Sequence, residues 1–403
     1  MRFSDVLMIK NGRNQKQVEN PNGLYPIYGS GGIMGRADAY ICEAGTVAIG
    51  RKGTINNPIF VDEPFWNVDT AFGLVANKDI LLPKYLYYFC CNYNFESLNT
   101  TVTIPSLTKA NLLNVEISIP PIHIQKHIVD RLDKGSELIT LRNQQLIRLD
   151  DLVKSRFVEM FGDPDCNPNN WIKTTIGNVI QSCEAGWSGN GTQREKKPGE
   201  IAVLKVSAVT KGFFIPEECK VLDNQSEIKK YVFPQKGDLL FSRANTREMV
   251  GATAIILQDY PELVLPDKLW KIRFISCANV LYMKHILSHP SIRAKFSEAS
   301  TGTSGSMFNV SMEKFKAIVV PLPPIELQEQ FAAFIEQTDK SKFDFIRCTS
   351  GETFLRYFGS PWRTASLCLF WHDPKAVVPA LWAYLCRLLV WQASAGTYED
   401  VPC

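Results

Sequence analysis

Two rhythms alternate along the chain. From the N-terminus, short apolar runs such as Thr46–Ile49, Pro58–Val61 and Ala71–Val75 are bounded by Gly, Asn, Asp and Pro. That is the pattern of strands separated by turns. At Ile122 the period lengthens. Apolar side chains at Ile128, Leu132, Ile139, Leu146, Leu149, Val153 and Met160 follow a 4–3 spacing whose gaps hold Gly135, Arg142 and Arg156. The spacing predicts a helix from Ile122 to about Met160 with a heptad seam that asks for a helical partner. Pro120-Pro121 precede it, where proline is tolerated, and Gly162-Asp163-Pro164 stop it. Such a helix spans ~58 Å at ~1.5 Å per residue, long enough for a coiled-coil spacer. After Trp171 the short rhythm returns in Ala202–Val206, Asp238–Ser242, Ala252–Leu257 and Leu269–Phe274.

The chain also repeats itself. Leu107-Thr-Lys-Ala-Asn-Leu-Leu-Asn-Val-Glu-Ile-Ser-Ile-Pro-Pro-Ile122 is echoed by Val310-Ser-Met-Glu-Lys-Phe-Lys-Ala-Ile-Val-Val-Pro-Leu-Pro-Pro-Ile325, 203 residues later. Each copy runs on into a helix, with Gln125 matching Gln328, Ile128 matching Phe331 and Leu132 matching Ile335. A weaker echo joins Ala44-Gly-Thr-Val-Ala-Ile-Gly-Arg51 to Lys236-Gly-Asp-Leu-Leu-Phe-Ser-Arg243, each a Gly-led apolar strand ending at an arginine. A period of this size is a domain duplication rather than a solenoid. The expected fold class is α+β: two tandem domains, each followed by a long helix. The boundaries read as 1–119, a helical spacer 120–165, a second domain 166–322, the start of a second spacer 323–343, and an atypical tail 344–403.

That tail breaks the repeat. The last 60 residues hold four of the eight tryptophans and four of the eleven cysteines, with one lysine, Lys375, and one isoleucine, Ile346. No seam persists through Pro361, Pro374 and Pro379. A shifted reading frame that truncates the second helix is the favoured reading, and a genuine extra domain the other.

Composition narrows the classes. Net charge is only +3, from 44 basic and 41 acidic residues, so any phosphate binding depends on local patches. Eleven cysteines occur without a CxxC pair, which reads as reduced thiols in a cytoplasm. Ala376–Trp391 is too short and too interrupted for a membrane span. Tyr28-Gly-Ser-Gly-Gly-Ile-Met-Gly35 has Met34 where GxGxxG requires glycine and lacks a following Lys-Ser/Thr, so a turn is expected rather than a nucleotide loop. HExxH, GxSxG, P-loop and Asn/Asp-Pro-Pro-aromatic signatures are missing. His123 with His127, and His285 with His289, have helical spacing but no completing ligands, so no metal site is expected.

The paired Pro-Pro-Ile/Leu-x-x-Gln helix starts, each closing a domain of this size, resemble the DNA-specificity subunits of type I restriction–modification systems. So do Tyr25-Pro-Ile-Tyr-Gly-Ser-Gly-Gly32, Ile49-Gly-Arg-Lys-Gly53 and Pro64-Phe-Trp-Asn-Val-Asp-Thr-Ala71. Pro266-Asp-Lys-Leu-Trp-Lys-Ile-Arg273 and Ser300-Thr-Gly-Thr-Ser-Gly-Ser306 are similar to later motifs of the same family. The resemblance covers about residues 1 to 343.

It implies two target-recognition domains, each reading half of a bipartite site in double-stranded DNA, with helices that set the gap. A ~58 Å ruler bounds that gap at about 17 base pairs, at ~3.4 Å per pair. The implied partners are two methyltransferase (M) subunits and endonuclease/translocase (R) subunits. S-adenosylmethionine, ATP and Mg belong to those partners, and no cofactor, metal or catalytic residue to this chain. Base readout needs side chains that reach groove edges and cations that hold the backbone. The candidates in the first domain are Arg36, Arg51, Lys52, Asn56, Asn57, Trp66 and Asn67, with Thr101, Thr103 and Ser106 secondary. In the second they are Arg243, Asn245, Thr246, Arg247, Lys268, Thr303, Ser304 and Asn309. Arg51 and Arg243 also suit solvated strand ends, and Trp66 and Trp270 a core. The alternatives are an inactive or phase-switched truncated allele, and a duplicated protein-interaction scaffold.

Overall fold

A computed structural model describes residues 1–99, 105–223, 229–300 and 308–350. The described residues divide into two compact units, Met1–Asn143 and a second from Gln144 to Ser350. The first contains α1 (Phe3–Val6), β1 (Leu7–Asn11), β2 (Tyr25–Gly29), β3 (Gly32–Ala37), β4 (Thr46–Gly50), β5 (Ile59–Val61), β6 (Trp66–Asn67), β7 (Ala71–Ala76), α2 (Pro83–Asn92) and α3 (Lys109–Leu113). Helix α4 (Ile122–Phe161) follows. The second unit adds β8 (Ile172–Thr175), α5 (Ile176–Val179), β9 (Ile180–Ala185), β10 (Gly191–Thr192), β11 (Ala202–Leu204), β12 (Cys219–Leu222), β13 (Leu239–Ser242), β14 (Ala244–Asn245), β15 (Thr253–Ile255), β16 (Leu263–Val264) and β17 (Leu269–Phe274). It closes with α6 (Val280–Ser288), α7 (Pro290–Ala299), β18 (Phe308–Asn309), α8 (Met312–Ala317), β19 (Val319–Leu322) and α9 (Ile325–Ser350).

The two heads share one plan. In the first, an antiparallel sheet has the order β1-β7-β4-β5, and in the second its counterpart reads β9-β17-β13-β15. Interior strands β4 and β13 are buried at every residue, which is why their sequences are unbroken apolar runs rather than alternating ones. A smaller sheet stands beside each. It is β3-β2-β6 in the first head and β10-β12-β11-β16 in the second, with β2–β6 and β11–β16 both parallel. Within Tyr28–Gly35, where a turn is expected, only Ser30-Gly31 turn; the rest pairs as the ends of β2 and β3, with Gly32 at φ +123°.

Glycines permit the sharp exits. Gly45 and Gly237, at φ +79° and +86°, lead into β4 and β13, and their N–H groups donate to Val61 O and Ile256 O. Gly12 and Gly186 follow β1 and β9. A Cβ on either would lie within 2 Å of a backbone carbonyl, Val68 O at 1.7 Å and Leu265 O at 1.8 Å.

The long repeat is tied to the start of each head by matching hydrogen bonds. Phe3 N–H donates to Val115 O and Ile176 N–H to Ile318 O, both at 2.9 Å. Helices α3 and α8 are N-capped by Thr108 and Ser311, whose hydroxyls accept from Asn111 and Lys314 N–H. In the second head the repeat forms a strand pair, β8–β19, whereas the first head has only an Arg2–Glu116 bridge there.

Gln125 and Gln328 then lock each helix start. Both are fully buried. Gln125 Oε1 accepts Leu82 N–H at 2.9 Å, and its Nε2 donates to Ile80 O and Pro120 O, both at 2.8 Å. Gln328 Oε1 accepts Asn279 N–H at 2.8 Å, and its Nε2 donates to Cys277 O at 3.1 Å and Pro323 O at 2.7 Å. Leu82 and Asn279 are the N-cap residues of α2 and α6, so one side chain satisfies a helix-start donor and two loop carbonyls at once. Buried Tyr85 and Tyr282 repeat the theme, donating to Ser118 O and Pro321 O.

Helix α4 runs where the seam predicts it and ends at Gly162, φ +76°. The helical spacer read at 120–165 is divided between the two units near residue 143. Its first half belongs to the first unit, through buried Ile128, Val129 and Leu132. Its second half, through Val153, Phe157 and Phe161, enters the core of the second unit against Phe331 and Ile335 of α9. Of the seam positions, Ile128, Leu132 and Val153 are buried and Ile139, Leu146, Leu149 and Met160 half-buried, while Leu138, Leu141, Ile147, Leu152 and Val158 are exposed. Helix α9 continues to Ser350, beyond the boundary drawn at 343. The tail from 351 on, and with it the frameshift reading, lies outside the described residues.

Replacing Gln125 with Leu keeps the volume but strands a buried N–H and two carbonyls, which is expected to cost about 2–4 kcal/mol. Hydrogen exchange should show the loss in residues 1–143 and not in the second head; Gln328→Leu should do the reverse. Gly12→Ala and Gly186→Ala should each lower the melting temperature of their own head, measured by differential scanning calorimetry, because the backbone carbonyl opposite cannot retreat without breaking the turn.

Candidate nucleic-acid interface

In both heads the central strand delivers an arginine to a cluster of loops. Arg51 follows β4. Its N–H donates to Thr70 O at 2.7 Å, and its C=O accepts Leu107 N–H at 2.8 Å. Arg243 follows β13. Its N–H donates to Lys268 O at 3.0 Å, and its C=O accepts Val310 N–H at 2.9 Å. Thr70 and Lys268 each precede the strand β7 or β17, and Leu107 and Val310 are the first residues of the long repeat. The two sequence echoes therefore meet at one place in each head.

In the first head these bonds gather three loops. Gly53 N–H donates to Pro105 O at 3.0 Å, and Lys52 bridges to Ser106. The β2–β3 turn joins them: a Cβ on Gly50 would lie 3.0 Å from Ser30 Cβ. Arg51, Lys52, Asn56 and Asn57 are exposed and Ser106 half-buried. Arg51 lies over the Phe72 ring at 5.7 Å. Asn56 is occupied at both ends, accepting from Phe95 N–H at 2.7 Å and donating to Asn94 Oδ1 at 3.0 Å. Arg36 stands on β3, and its guanidinium ties down the preceding turn through Gly23 O and Leu24 O.

Two candidates are withdrawn from the surface. Trp66 is 9% exposed, packs with Ile27, Ala37 and Val68, and donates from Nε1 to Arg13 O at 2.9 Å. Asn67 is fully buried; its Nδ2 donates to Ala71 O at 3.3 Å and its Oδ1 accepts from Cys42 Sγ at 3.4 Å. Burial pushes the Cys42 thiol up to about 12, so it stays protonated and able to donate. Both residues serve the fold of the first head and are corrected as contact candidates.

In the second head Arg243 is half-buried, as are Asn245, Lys268 and Asn309, while Thr246 and Arg247 are exposed. Asn309 pairs with Ala244 in the β14–β18 ladder. Asn245 Oδ1 accepts Thr246 N–H at 2.8 Å, opening the turn that presents Arg247. The Arg243 guanidinium is engaged: Nε donates to Asp267 O at 2.8 Å and Nη2 reaches Asp267 Oδ2 at 3.2 Å. Asp267 was not among the expected residues. The Pro-Asp-Lys run before a strand was its only signal. Thr101, Thr103, Thr303 and Ser304 lie outside the described residues.

Elsewhere, His285 and His289 flank the Phe157 ring, each with centroids 6.3 Å away, and His123 and His127 are exposed on α4. Among the described residues no group of three or more His, Cys, Asp or Glu is arranged to hold a metal. No described helix is long and apolar enough to cross a membrane.

Comparison with known proteins fits this geometry. The profile of the type I restriction modification DNA specificity domain matches residues 1–150 and again 168–350. A putative type I restriction enzyme specificity subunit from Haemophilus influenzae is 24% identical over 345 residues, covering 78% of this chain and 80% of that protein. The EcoKI specificity subunit of Escherichia coli K12 is 26% identical over 313 residues, covering 72% of this chain and 65% of that protein. In fold, a crystal structure of a type I restriction–modification system S subunit from M. genitalium superposes with a TM-score of 0.55 at 13% identity, over 100% of this chain and 96% of that one. With both heads matched by one family profile, and both built on the same arginine-tipped loop cluster, this chain belongs to the DNA-specificity subunits of type I restriction–modification systems.

Proposed function

We propose that this specificity subunit reads a bipartite site in double-stranded DNA, one half-site per head, and directs partner subunits that carry the chemistry. The observation that supports it best is the repeated placement of Arg51 and Arg243 by the same pair of backbone hydrogen bonds. Two copies of one presenting device, each beside exposed polar loops, suit two half-sites whose sequences differ because the loops differ. Two methyltransferase subunits would dock on the helices, and an endonuclease/translocase would join them. S-adenosylmethionine, ATP and Mg would be held by those partners, in a cytoplasm.

Co-expressing the chain with its methyltransferase partner and mapping N6-methyladenine across the host genome tests this. A bipartite motif with a fixed gap is expected. A palindromic motif would mean that one head works as a dimer, and an absence of methylation would mark an inactive allele. A protein-interaction scaffold would instead show no salt-dependent affinity for duplex DNA, since counterion release makes phosphate binding fall steeply with salt.

Arg243→Ala is expected to weaken recognition of one half-site by about 1–3 kcal/mol and leave the other half-site intact. Competition binding with duplexes altered in one half at a time measures it; equal losses in both halves would remove Arg243 from the interface.

A further inference from the structure

The two arginines occupy equivalent positions but are held differently. In the second head Arg243 Nε and Nη2 are both taken by Asp267, and Asp267 is itself fixed. Its carboxylate Oδ1 accepts the Ser188 hydroxyl, and its N–H donates back to Ser188 Oγ at 3.2 Å. Ser188 follows β9 by way of Gly186, whose missing Cβ lets the chain pass the Leu265 carbonyl. In the first head the equivalent aspartate, Asp69, offers Arg51 only its backbone carbonyl, at 3.5 Å. The residue two beyond Gly12 is Asn14, and its side chain caps its own turn at Lys16 N–H, 2.9 Å.

We propose that Asp267 and Ser188 are positioning residues that preset Arg243 as a base-discriminating contact of the second head, whereas Arg51 is left to adapt. This rests on the reading that the chain recognises duplex DNA. The Arg243 side chain keeps 30% of its surface exposed, and no hydrogen bond engages its Nη1 among the described residues. A planar fork clamped along one edge offers its remaining donors in a fixed direction, which suits the paired O6 and N7 acceptors of a guanine in the major groove. A clamped fork also loses less freedom on binding than a mobile one, so it discriminates between bases more sharply. Arg51, resting on Phe72 with one marginal contact, is arranged to follow a phosphate. The two half-sites should therefore differ in how strictly each is read.

The test uses the full chain in complex with its methyltransferase partner, with methylation of duplexes carrying every base at each position of the target. Asp267→Asn should relax the preference for one base pair, in one half-site, by about tenfold, with the other half-site unchanged. Ser188→Ala should relax the same position less, and Ser188→Thr, which keeps the hydroxyl, should restore it. Asp69→Asn should change no position. Thermal melting of each complex distinguishes positioning from folding, since a merely structural role would lower stability without singling out one base pair. An unaltered base preference in Asp267→Asn overturns the proposal. So does a uniform loss at every position with a shallower salt dependence, which would make Arg243 a phosphate contact. If the wild-type complex shows no base preference at all, the broader reading of DNA recognition falls first, and this one with it.

Discussion

A buried primary amide at the first turn of each long helix is the constraint on which the rest depends. A glutamine is long enough to reach across from its helix, and its oxygen and NH2 group can meet one donor and two acceptors together. Gln125 and Gln328 do this with matching partners. They orient the long helix against α2 or α6, and through those helices against the main sheet of the same head. Remove the amide and three backbone groups are left dry at the junction of helix, sheet and loop. No apolar residue can serve there, which is why a polar residue stands on an otherwise buried helix face.

From that anchor the recognition loops follow by short steps. The long repeat that ends in the Pro-Pro pair begins at Leu107 or Val310, and those residues hold the arginine that leaves the central strand. The helix start and the loop cluster are thus two ends of one segment of about sixteen residues, the span of the echo read in the sequence. The heads diverge where this frame does not reach. The second has the β10–β12–β11–β16 sheet where the first has β3–β2–β6, and it adds α7 after α6.

Much of the frame was legible in the sequence because it is periodic or repeated. The seam located α4 to within a residue of its end, and the apolar runs located β4, β5, β7, β13 and β17. What escaped was whatever depends on long-range pairing. Trp66 suited a core from the sequence alone, but nothing local marked its polar neighbour Asn67 as buried; the parallel pairing of β6 with β2 draws both inward. The Arg243–Asp267–Ser188 linkage joins residues 79 apart at its longest step, and no local pattern signals it. The close passages of Gly12 and Gly186 are equally silent, since a lone glycine after a strand usually marks only a turn.

Each glutamine anchor is closed within its own stretch of chain. Its most distant partner lies 51 residues away, and neither anchor reaches across the middle of α4. A genetic crossover near residue 143 would therefore join one intact head, with its half-helix, to a foreign counterpart without cutting any of these bonds. The incoming head would bring its own anchor, and the helix start already held by the other would keep every one of its bonds.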